Sequence, residues 1–319
     1  MTQLLYLHCR NNLSVSREAV AQREKVMTQA NKQRGSTVAI TGAGSGLGRE
    51  LALGFSAKGY RVFGTTHSVN GIAEFQNLSA GGEITITITD ITKEEQVNNW
   101  KEQVRKLLNE DGLNLLINNA GASTLGPMEV LSLTAVRHEF EVNVFGSLAT
   151  IHAFLPLLRQ AEGRIVQIGS MTGRFSLPFS GPTSASKAAM EAFADVYRTE
   201  LKPFGVDFIM VQPGSMLTGG HAKAAAQLKQ VSENMTVEQK KLYGKYFDQF
   251  ATTLNKMLGS GLSPSEAAAS IIEISEQVPA PIRAPVGKDA EDILHAVREK
   301  SDEELDIMKA QILGLGIIK

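Results

Sequence analysis

The segment TVAITGAGSGLGREL, residues 37 to 51, places four closely spaced glycines between β-branched and helix-forming residues. These glycines, which are Gly42, Gly44, Gly46 and Gly48, permit a tight turn and a close backbone approach to a ligand. The free backbone N–H groups at the start of the following helix favour a pyrophosphate. Glycine-rich turns also form for packing alone, but a strand before and a helix after the turn indicate a dinucleotide site.

The elements that must position this loop follow from the hydrophobic pattern. From Thr37 onward, short β-branched runs alternate with longer segments of helical period, which is typical of βαβ units around a parallel sheet. Right-handed crossovers then predict an α/β, doubly wound, Rossmann-type sheet with its ligand site beyond the carboxyl ends of the strands. The sheet is mostly parallel and seven-stranded, and its predicted strands are 37–41, 60–65, 83–89, 113–118, 164–169, 205–211 and 282–286.

Two segments carry a more specific prediction. The strict alternation of EITITIT, residues 83–89, favours an edge strand with one less buried face. Residues 93–110 predict a helix whose core face consists of Val97, Trp100, Val104, Leu107 and Leu108.

Composition narrows the class of protein. A chain of 319 residues with 43% hydrophobic content is consistent with one domain, expected over residues 35–319. The 32 basic and 33 acidic residues include no dense basic block, which argues against a nucleic-acid partner. A single cysteine, Cys9, excludes an internal disulfide, and the six histidines lack metal-ligand spacing, so no metal site is predicted.

With no signal peptide and no apolar run near ~20 residues, we expect a cytoplasmic protein without an integral membrane segment.

The N-terminal extension, residues 1–34, has no steady period. A second MTQ at Met27 follows codons that would resemble a ribosome-binding site, so one hypothesis is that translation starts at Met27. The alternative is a natural N-terminal arm.

Further motifs follow the glycine loop in a fixed order. They are Asp90 at a strand end, NNAG at 118–121, Asn143 in EVNVFGS, Ser170 in IVQIGS, Lys187 in SASKAA and PGSMLT at 213–218. On these motifs, residues 37 to about 218 resemble the short-chain dehydrogenase/reductase family. The tail from residue 262, with APVGKDAE, loosely resembles its retinol and steroid dehydrogenase-like branch. The resemblance implies a nicotinamide-dependent oxidoreductase of apolar small molecules, and a homodimer or homotetramer built through the helices at 132–161 and 183–204.

The resemblance also implies the cofactor contacts. Asp90 would accept a hydrogen bond from the adenine amino group, although a helix cap is an alternative, and Asn118 would brace the central strands. Thr218 would flank the nicotinamide or act only as an N-cap. The full set of implied cofactor residues is Thr41, Gly42, Gly44, Ser45, Gly46, Leu47, Gly48, Thr66, His67, Asp90, Ile91, Asn119, Ala120, Gly121, Lys187, Pro213, Gly214 and Thr218.

The end of the second strand bears on the choice of nicotinamide. An acid there binds the ribose 2′-hydroxyl of NAD, whereas NADP requires a place without negative charge. Residues 65–68, Thr-Thr-His-Ser, contain no acid, and Arg49 lies just past the glycine loop. We therefore expect NADP(H) to be preferred over NAD(H).

The implied catalytic set departs from the family pattern at one position. Ser170 would orient the substrate carbonyl, Lys187 would hold the nicotinamide ribose, and Asn143 would keep a water chain behind the lysine. The proton-donating tyrosine is replaced by Thr183, whose aliphatic hydroxyl is far too weak an acid to substitute directly. Tyr197 lies too far along the helix, while Tyr243 and Tyr246 of the 215–262 insertion could reach the site.

Two functions therefore remain open. One is an oxidoreductase for an apolar carbonyl, alcohol or imine, working slowly or with a substituted acid. The other is a cofactor-binding, non-catalytic protein such as a redox sensor or scaffold, and a mutation or sequence error at Thr183 is a further alternative. The 215–262 insertion, with Phe247 and Phe250, is interpreted as a substrate lid or as a solvated helical pair.

Overall fold

The computed structural model describes residues 36–76, 83–108, 110–217 and 220–314. Seven strands form one sheet in which every neighbouring pair is parallel, in the order β3-β2-β1-β4-β5-β6-β7. The strands are β1 (Thr37–Ile40), β2 (Arg61–Thr66), β3 (Ile84–Ile88), β4 (Leu115–Asn118), β5 (Arg164–Ile168), β6 (Asp207–Pro213) and β7 (Arg283–Val286). Each overlaps a predicted strand, and the doubly wound fold is confirmed.

Helices cover both faces of this sheet. They are α1 (Gly46–Ala57), α2 (Val69–Gln76), α3 (Glu94–Leu108), α4 (Leu133–Phe140), α5 (Ser147–Gln160), α6 (Gly181–Leu201), α7 (Gly220–Asn234), α8 (Val237–Gln239), α9 (Lys245–Gly259), α10 (Pro264–Glu276), α11 (Lys288–Glu299) and α12 (Asp302–Ile312). A π-helical segment, Glu141–Gly146, joins α4 to α5, and another, Lys240–Gly244, joins α8 to α9. Short 3₁₀ turns occur at Met171–Gly173 and Lys202–Phe204.

The predicted edge strand and amphipathic helix are both present. β3 lies at one end of the sheet and is only partly buried along most of its length. In α3, Val97, Trp100, Val104 and Leu108 are buried, as expected. Leu107 is 40% exposed, so its assignment to the core face is wrong. Successive residues of an α-helix lie about 100° apart around the helix axis. The face of α3 that packs on the sheet therefore includes Leu108 and leaves Leu107 at its edge.

Three apolar clusters stabilise the fold. One packs α1 and α10 against the sheet, around Phe55 and Ile271. A second packs α3, α5 and α6 against the opposite face, around Trp100 and Phe154, whose ring centroids are 4.6 Å apart. The third lies among the loops and helices near the carboxyl ends of the strands, and it includes Phe175.

The insertion begins and ends at one point of the sheet edge. The backbone of Leu262 accepts from Leu217 N at 2.8 Å and donates to Ser215 O at 3.0 Å, which fastens the two ends together. Phe247 and Phe250 are fully buried in the third cluster, with ring centroids 5.6 and 5.2 Å from Phe179. These two rings therefore anchor the insertion and offer no surface to a substrate.

One expectation about membranes needs correction. The helical run Leu133–Gln160 is long and apolar enough to cross a bilayer by length and composition, although no such run was expected. Of its most apolar window, 56% is buried inside this fold, as occurs for the core helix of a globular domain.

The sequence hypotheses on residues 1–34 and on Thr218 fall outside the described residues.

Candidate active site

The glycine loop connects β1 to α1 as the sequence predicts. Gly42 and Gly46 have φ values of 66° and 53°, in the left-handed region that glycine adopts without strain. A Cβ on Gly48 would lie 2.2 Å from the Gly42 carbonyl oxygen, so a side chain there would force the loop open. Ser45 occupies the N-cap of α1 but makes no capping hydrogen bond. The first N–H groups of α1 are therefore suited to an anion.

A cleft of about 450 Å³ opens beside this loop at the carboxyl ends of the strands. It fits a dinucleotide, because glycine backbone and the uncapped helix start form one wall. Its predicted residues are Gly42, Gly44, Ser45, Leu47, Gly48, Thr66, His67, Asp90, Ile91, Asn119, Ala120 and Gly121. It also contains Thr65, from the segment 65–68 considered for the choice of cofactor, and residues that sequence reasoning missed, namely Thr89, Thr92, Ala122, His138 and Val142.

Thr41 was predicted to contact the cofactor, and its position corrects that prediction. The residue is 1% exposed, and its hydroxyl accepts from Asn119 N at 2.9 Å and Ala120 N at 3.0 Å. The two lone pairs of the threonine hydroxyl accept both bonds. Thr41 therefore connects β1 to the loop after β4. Gly46 also lies outside the cleft wall, where its left-handed backbone shapes the turn.

Asn118 is the brace that was expected. Its amide nitrogen donates to Ser147 O and to Gln167 Oε1, both at 3.2 Å, which joins β4 to α5 and β5. The side chain is 1% exposed, so these bonds are shielded from water.

The Asp90 side chain closes the turn that precedes α3, a helix that begins at Glu94. Its Oδ1 accepts from Thr92 N at 2.9 Å and from Thr92 Oγ1 at 2.8 Å. Burial acts to raise the pKa of Asp90, but the Thr92 hydrogen bonds and the nearby Lys93 and His138 lower it below its usual value. The carboxylate therefore stays ionised while it lines the cleft.

At the end of β2, Thr66 supports the glycine loop. A Cβ on Gly44 would lie 2.3 Å from Thr66 Oγ1, so the two residues are in direct contact. His67 is exposed and borders the cleft. Arg49 forms an ion pair with Glu50 at 3.1 Å, and its part in cofactor selection stays a prediction.

The segment after β6 is held by the C-terminal part of the chain. Ser215 N donates to Asp289 Oδ2 at 2.7 Å, and Gly214 N donates to Val286 O at 3.0 Å. A Cβ on Gly214 would lie 2.1 Å from Asp289 Oδ1, which explains the glycine. Pro213 is the buried last residue of β6. The APVGKDAE motif thus positions the Pro213–Gly214 segment from behind.

Asn143 lies in the π-helical segment between α4 and α5, a type of irregularity that is frequent at functional sites. Its Oδ1 accepts from Ala122 N at 2.8 Å, and its Nδ2 donates to Ala122 O and Ser186 Oγ, both at 2.9 Å. The same Nδ2 lies 3.3 Å from Glu139 Oε1. Asn143 therefore connects the loop after β4 to α6.

Lys187 extends from α6 towards the end of β5. Its Nζ donates to Ile168 O at 2.9 Å, and a Cβ on Gly121 would lie 3.9 Å from that nitrogen. Burial lowers the pKa of Lys187 to about 8, although the nearby Glu139 carboxyl acts in the opposite direction. The ammonium is therefore close to the cleft wall and loses its proton more readily than an exposed lysine.

Ser170 follows β5 and caps the short 3₁₀ turn Met171–Gly173. Its Oγ accepts from Thr172 N at 3.1 Å and from Thr172 Oγ1 at 2.9 Å. Because both bonds use lone pairs of the serine oxygen, its hydrogen stays available to a substrate oxygen. A Cβ on Gly173 would lie 3.1 Å from the Lys187 carbonyl carbon, so this turn packs directly on α6.

Thr183 lies in the first turn of α6, between the loop after β4 and α4. Its Oγ1 is 3.1 Å from Ser123 Oγ, and the pair is exposed. Its hydroxyl also lowers the pKa of Glu139, a residue that sequence reasoning missed. In the sequence, Glu139 resembles an ordinary acid on a helix surface. Its position four residues before Asn143 places both side chains on one helix face, and this spacing could have predicted that Glu139 lies near the site.

Two of the candidate tyrosines, Tyr243 and Tyr197, are hydrogen-bonded to other side chains. Tyr243 donates to Glu129 Oε2 at 2.5 Å, and that bond raises the pKa of its phenol, which makes it a poorer proton donor. Tyr246 is 48% exposed. Tyr197 pairs with His152 at 2.8 Å and stacks on Phe208, between α5, α6 and β6.

The fold and this cleft define a dinucleotide-binding protein of the Rossmann type. The family described as short chain dehydrogenase matches residues 36–229, and the chain therefore belongs to the short-chain dehydrogenase/reductase family. It is 33% identical to the mitochondrial D-beta-hydroxybutyrate dehydrogenase of Rattus norvegicus, over 78% of this chain and 76% of that protein. It is 35% identical to retinol dehydrogenase 16 of Mus musculus, over 69% of this chain and 70% of that protein.

Solved structures agree with this assignment. A short chain dehydrogenase from Burkholderia cenocepacia J2315, in complex with NADP, is 26% identical with a TM-score of 0.65, covering 88% of this chain and 98% of that one. A short chain dehydrogenase/reductase from Burkholderia phymatum, in complex with NAD, is 23% identical with a TM-score of 0.70, covering 86% and 95%. The chain is accordingly an oxidoreductase of a family that binds NAD or NADP, within the retinol and steroid dehydrogenase-like branch.

Proposed function

We propose that this protein is an NADP(H)-dependent oxidoreductase that transfers hydride to or from an apolar carbonyl, alcohol or imine, at a site without the tyrosine acid. The observation that carries the proposal is that Asn143 and the turn after Ser170 both contact α6, the helix of Thr183 and Lys187, while Lys187 Nζ lies beside Gly121 of the dinucleotide cleft. A protein that only bound the cofactor would not need this polar set.

The roles of these residues follow from their contacts. A bound dihydronicotinamide supplies the hydride. Ser170 donates its free hydrogen to the substrate oxygen and so stabilises the charge that develops there. Lys187, fixed by Ile168 O, provides a positive charge at the wall where the nicotinamide ribose would lie. Asn143 is hydrogen-bonded both to the loop after β4 and to α6, which fixes the position of Lys187 on α6 relative to that loop.

Exposed apolar side chains support an apolar substrate. Met128 is 58% exposed, and a Cβ on Gly181 at the start of α6 would lie 2.3 Å from its Sδ. Leu217 is 43% exposed, just after the Pro213–Gly214 segment. Both lie near Thr183 or the predicted nicotinamide segment, where a substrate must approach.

The preference for NADP(H) is supported by the absence of an acid over residues 65–68, with the exposed His67 at the edge of the cleft. We expect NADPH to bind about tenfold or more tightly than NADH, a difference of ~1.4 kcal/mol. His67→Asp would place a carboxylate near the 2′-phosphate and should reverse this preference. Fluorescence titration of both reduced cofactors measures it, and tighter NADH binding by the wild type would contradict the proposal.

Turnover distinguishes the enzyme from a non-catalytic sensor or scaffold. We expect loss of NADPH absorbance with at least one member of a panel of apolar ketones, aldehydes and cyclic imines. Tight NADPH binding with no turnover on the whole panel would favour the sensor or scaffold.

Ser170→Ala is expected to lower kcat by about 10²-fold, because the donor to the developing oxyanion is lost. The Kd for NADPH should stay within about twofold, since the hydroxyl faces the substrate and not the cofactor. Thr172→Val, which removes the hydroxyl that donates to Ser170, is the matched control and should cost less. Equal activity of Ser170→Ala and wild type would remove Ser170 from the mechanism.

We also propose a dimer or tetramer through the helical run 133–160 and α6. Five large apolar side chains on or directly after these helices are at least 38% exposed in the single chain: Leu133, Phe145, Phe193, Val196 and Phe204. Burying them against a second copy would remove this surface from water.

A further inference from the structure

Glu139 is a carboxyl group enclosed within the active site. Its side chain is 0% exposed, although it belongs to the short helix α4 at the protein surface. Its Oε1 lies 3.3 Å from Asn143 Nδ2, a long contact, since that nitrogen also donates to Ala122 O and Ser186 Oγ at 2.9 Å. Its Oε2 makes no hydrogen bond to any residue in the described part of the chain.

Such a carboxyl favours its neutral form. An ionised carboxylate taken out of water needs strong compensating bonds, and one long contact from a shared amide does not supply them. Burial accordingly raises the pKa of Glu139 above its usual value. The hydroxyls of Thr183 and Thr124 and the ammonium of Lys187 act in the opposite direction without offsetting burial.

Thr183 lies where a proton from this carboxyl would leave. Its hydroxyl is one of the groups that lower the pKa of Glu139, and it lies 3.1 Å from Ser123 Oγ on the exposed side. A hydroxyl accepts through its lone pairs while it donates its own hydrogen. The Thr183 hydroxyl can therefore accept a proton from Glu139 and donate its own hydrogen to the substrate oxygen.

On the premise of the reductase function proposed above, we propose that Glu139 replaces the absent tyrosine as the proton source, delivering its proton to the substrate oxygen through the hydroxyl of Thr183. Thr183 is then the catalytic residue that touches substrate, and Glu139 acts through it.

The step balances without a further reactant. Hydride from NADPH forms the new C–H bond, and the π-electron pair of the carbonyl moves to its oxygen. That oxygen takes the Thr183 hydrogen, and the Thr183 oxygen takes the Glu139 proton. Glu139 is left as a carboxylate, which regains a proton from solvent through the exposed hydroxyls of Ser123 and Thr183 after the product leaves. The carbonyl is reduced and the dihydronicotinamide is oxidised.

The proposal sets the direction of the pH dependence. Reduction requires protonated Glu139, so kcat should be greatest at low pH and fall as pH rises through the elevated pKa of that group. Lys187, on α6, is the charged group facing Glu139, and its pKa near 8 makes the two titrations interact. Alcohol oxidation, which needs Glu139 as a base, should show the reverse slope.

Glu139→Gln tests the proposal, because glutamine keeps the shape and supplies no acid proton. We expect kcat for ketone reduction to fall about 10²-fold or more, the usual size of general acid catalysis, with loss of the Glu139-dependent pH limb. Glu141→Gln is the matched control, since Glu141 is exposed on the same helical run and should leave the rate unchanged. Thr183→Val should lose as much as Glu139→Gln, and the double variant no more than either, because both act in one relay.

A second readout needs no substrate. Infrared difference spectra of the ligand-free protein over a pH titration should show a carboxyl that keeps its proton at a pH where ordinary glutamates, with a pKa of about 4.3, have become ionised, and Glu139→Gln should remove that band. An ionised Glu139 at that pH, full ketone activity in a folded Glu139→Gln protein, or additive losses in the double variant would each overturn the proposal. Absence of turnover in the wild type, with the infrared band present, would instead count against the reductase function while leaving the protonated carboxyl established.

Discussion

Lys187→Ala is expected to reduce kcat/KM about 10³-fold or more and to weaken NADPH binding about tenfold or more. The ammonium is held by Ile168 O at 2.9 Å and borders the cleft beside Gly121, where the nicotinamide ribose would lie. Its loss removes both a cofactor contact and a positive charge close to the reacting centre, and the two effects multiply in kcat/KM. Stopped-flow measurement of ketone reduction gives the effect on the rate, and fluorescence titration gives the effect on the Kd for NADPH.

The same variant has a consequence for Glu139 that can be measured without substrate. The Lys187 ammonium lowers the pKa of Glu139, so its removal should raise that pKa further and keep the carboxyl protonated to higher pH. Lys202→Ala, at an exposed lysine just after α6, is the control and should change neither property. Unchanged NADPH affinity in Lys187→Ala would show that the ammonium does not contact the cofactor.

The second prediction with a large effect combines two substitutions. Thr183→Tyr introduced into Glu139→Gln should recover ketone reduction by about 10²-fold, because a phenol near Lys187 supplies an acid that no longer depends on Glu139. In the wild-type background the gain should be smaller, since the buried carboxyl already performs this step. The recovered activity should follow a new pH limb that reports the phenol.

Cyclic imines provide the discriminating substrate for this experiment. An iminium carbon accepts hydride without a proton donor at that step, so neither Glu139→Gln nor the added tyrosine should change its rate by more than about twofold. A folded double variant that binds NADPH but recovers no ketone activity would show that the pocket has no productive place for the ring. Thr183→Phe in the same background is the steric control, since it adds the ring without the acid.

The sequence by itself was enough for the sheet and the dinucleotide loop. Each depends on local rules: β-branched runs of strand length, glycines where a turn needs left-handed backbone, and a helix start directly after it. Gly42 and Gly46 have the left-handed backbone that the turn needs, Gly48 in the first turn of α1 allows the close approach of the loop, and β3 is the edge strand that its alternation indicated. The positions of Asn143, Ser170 and Lys187 followed from motifs in the chain.

The environment of each polar group depends on the packing of the whole fold and could not be predicted from the sequence. Thr41 and Glu139 carry ordinary polar side chains in the sequence, yet one is a buried brace and the other an enclosed carboxyl with one oxygen unpaired. Leu107 and Phe247 show the same limit from the apolar side, since the first is exposed and the second is fully buried. Whether a side chain meets water, a partner or neither depends on segments distant in the chain, and the pKa of an acid depends on that environment. The replacement of tyrosine by Thr183 is visible in the sequence, but the acid behind it became apparent only when α4 and α6 were brought together.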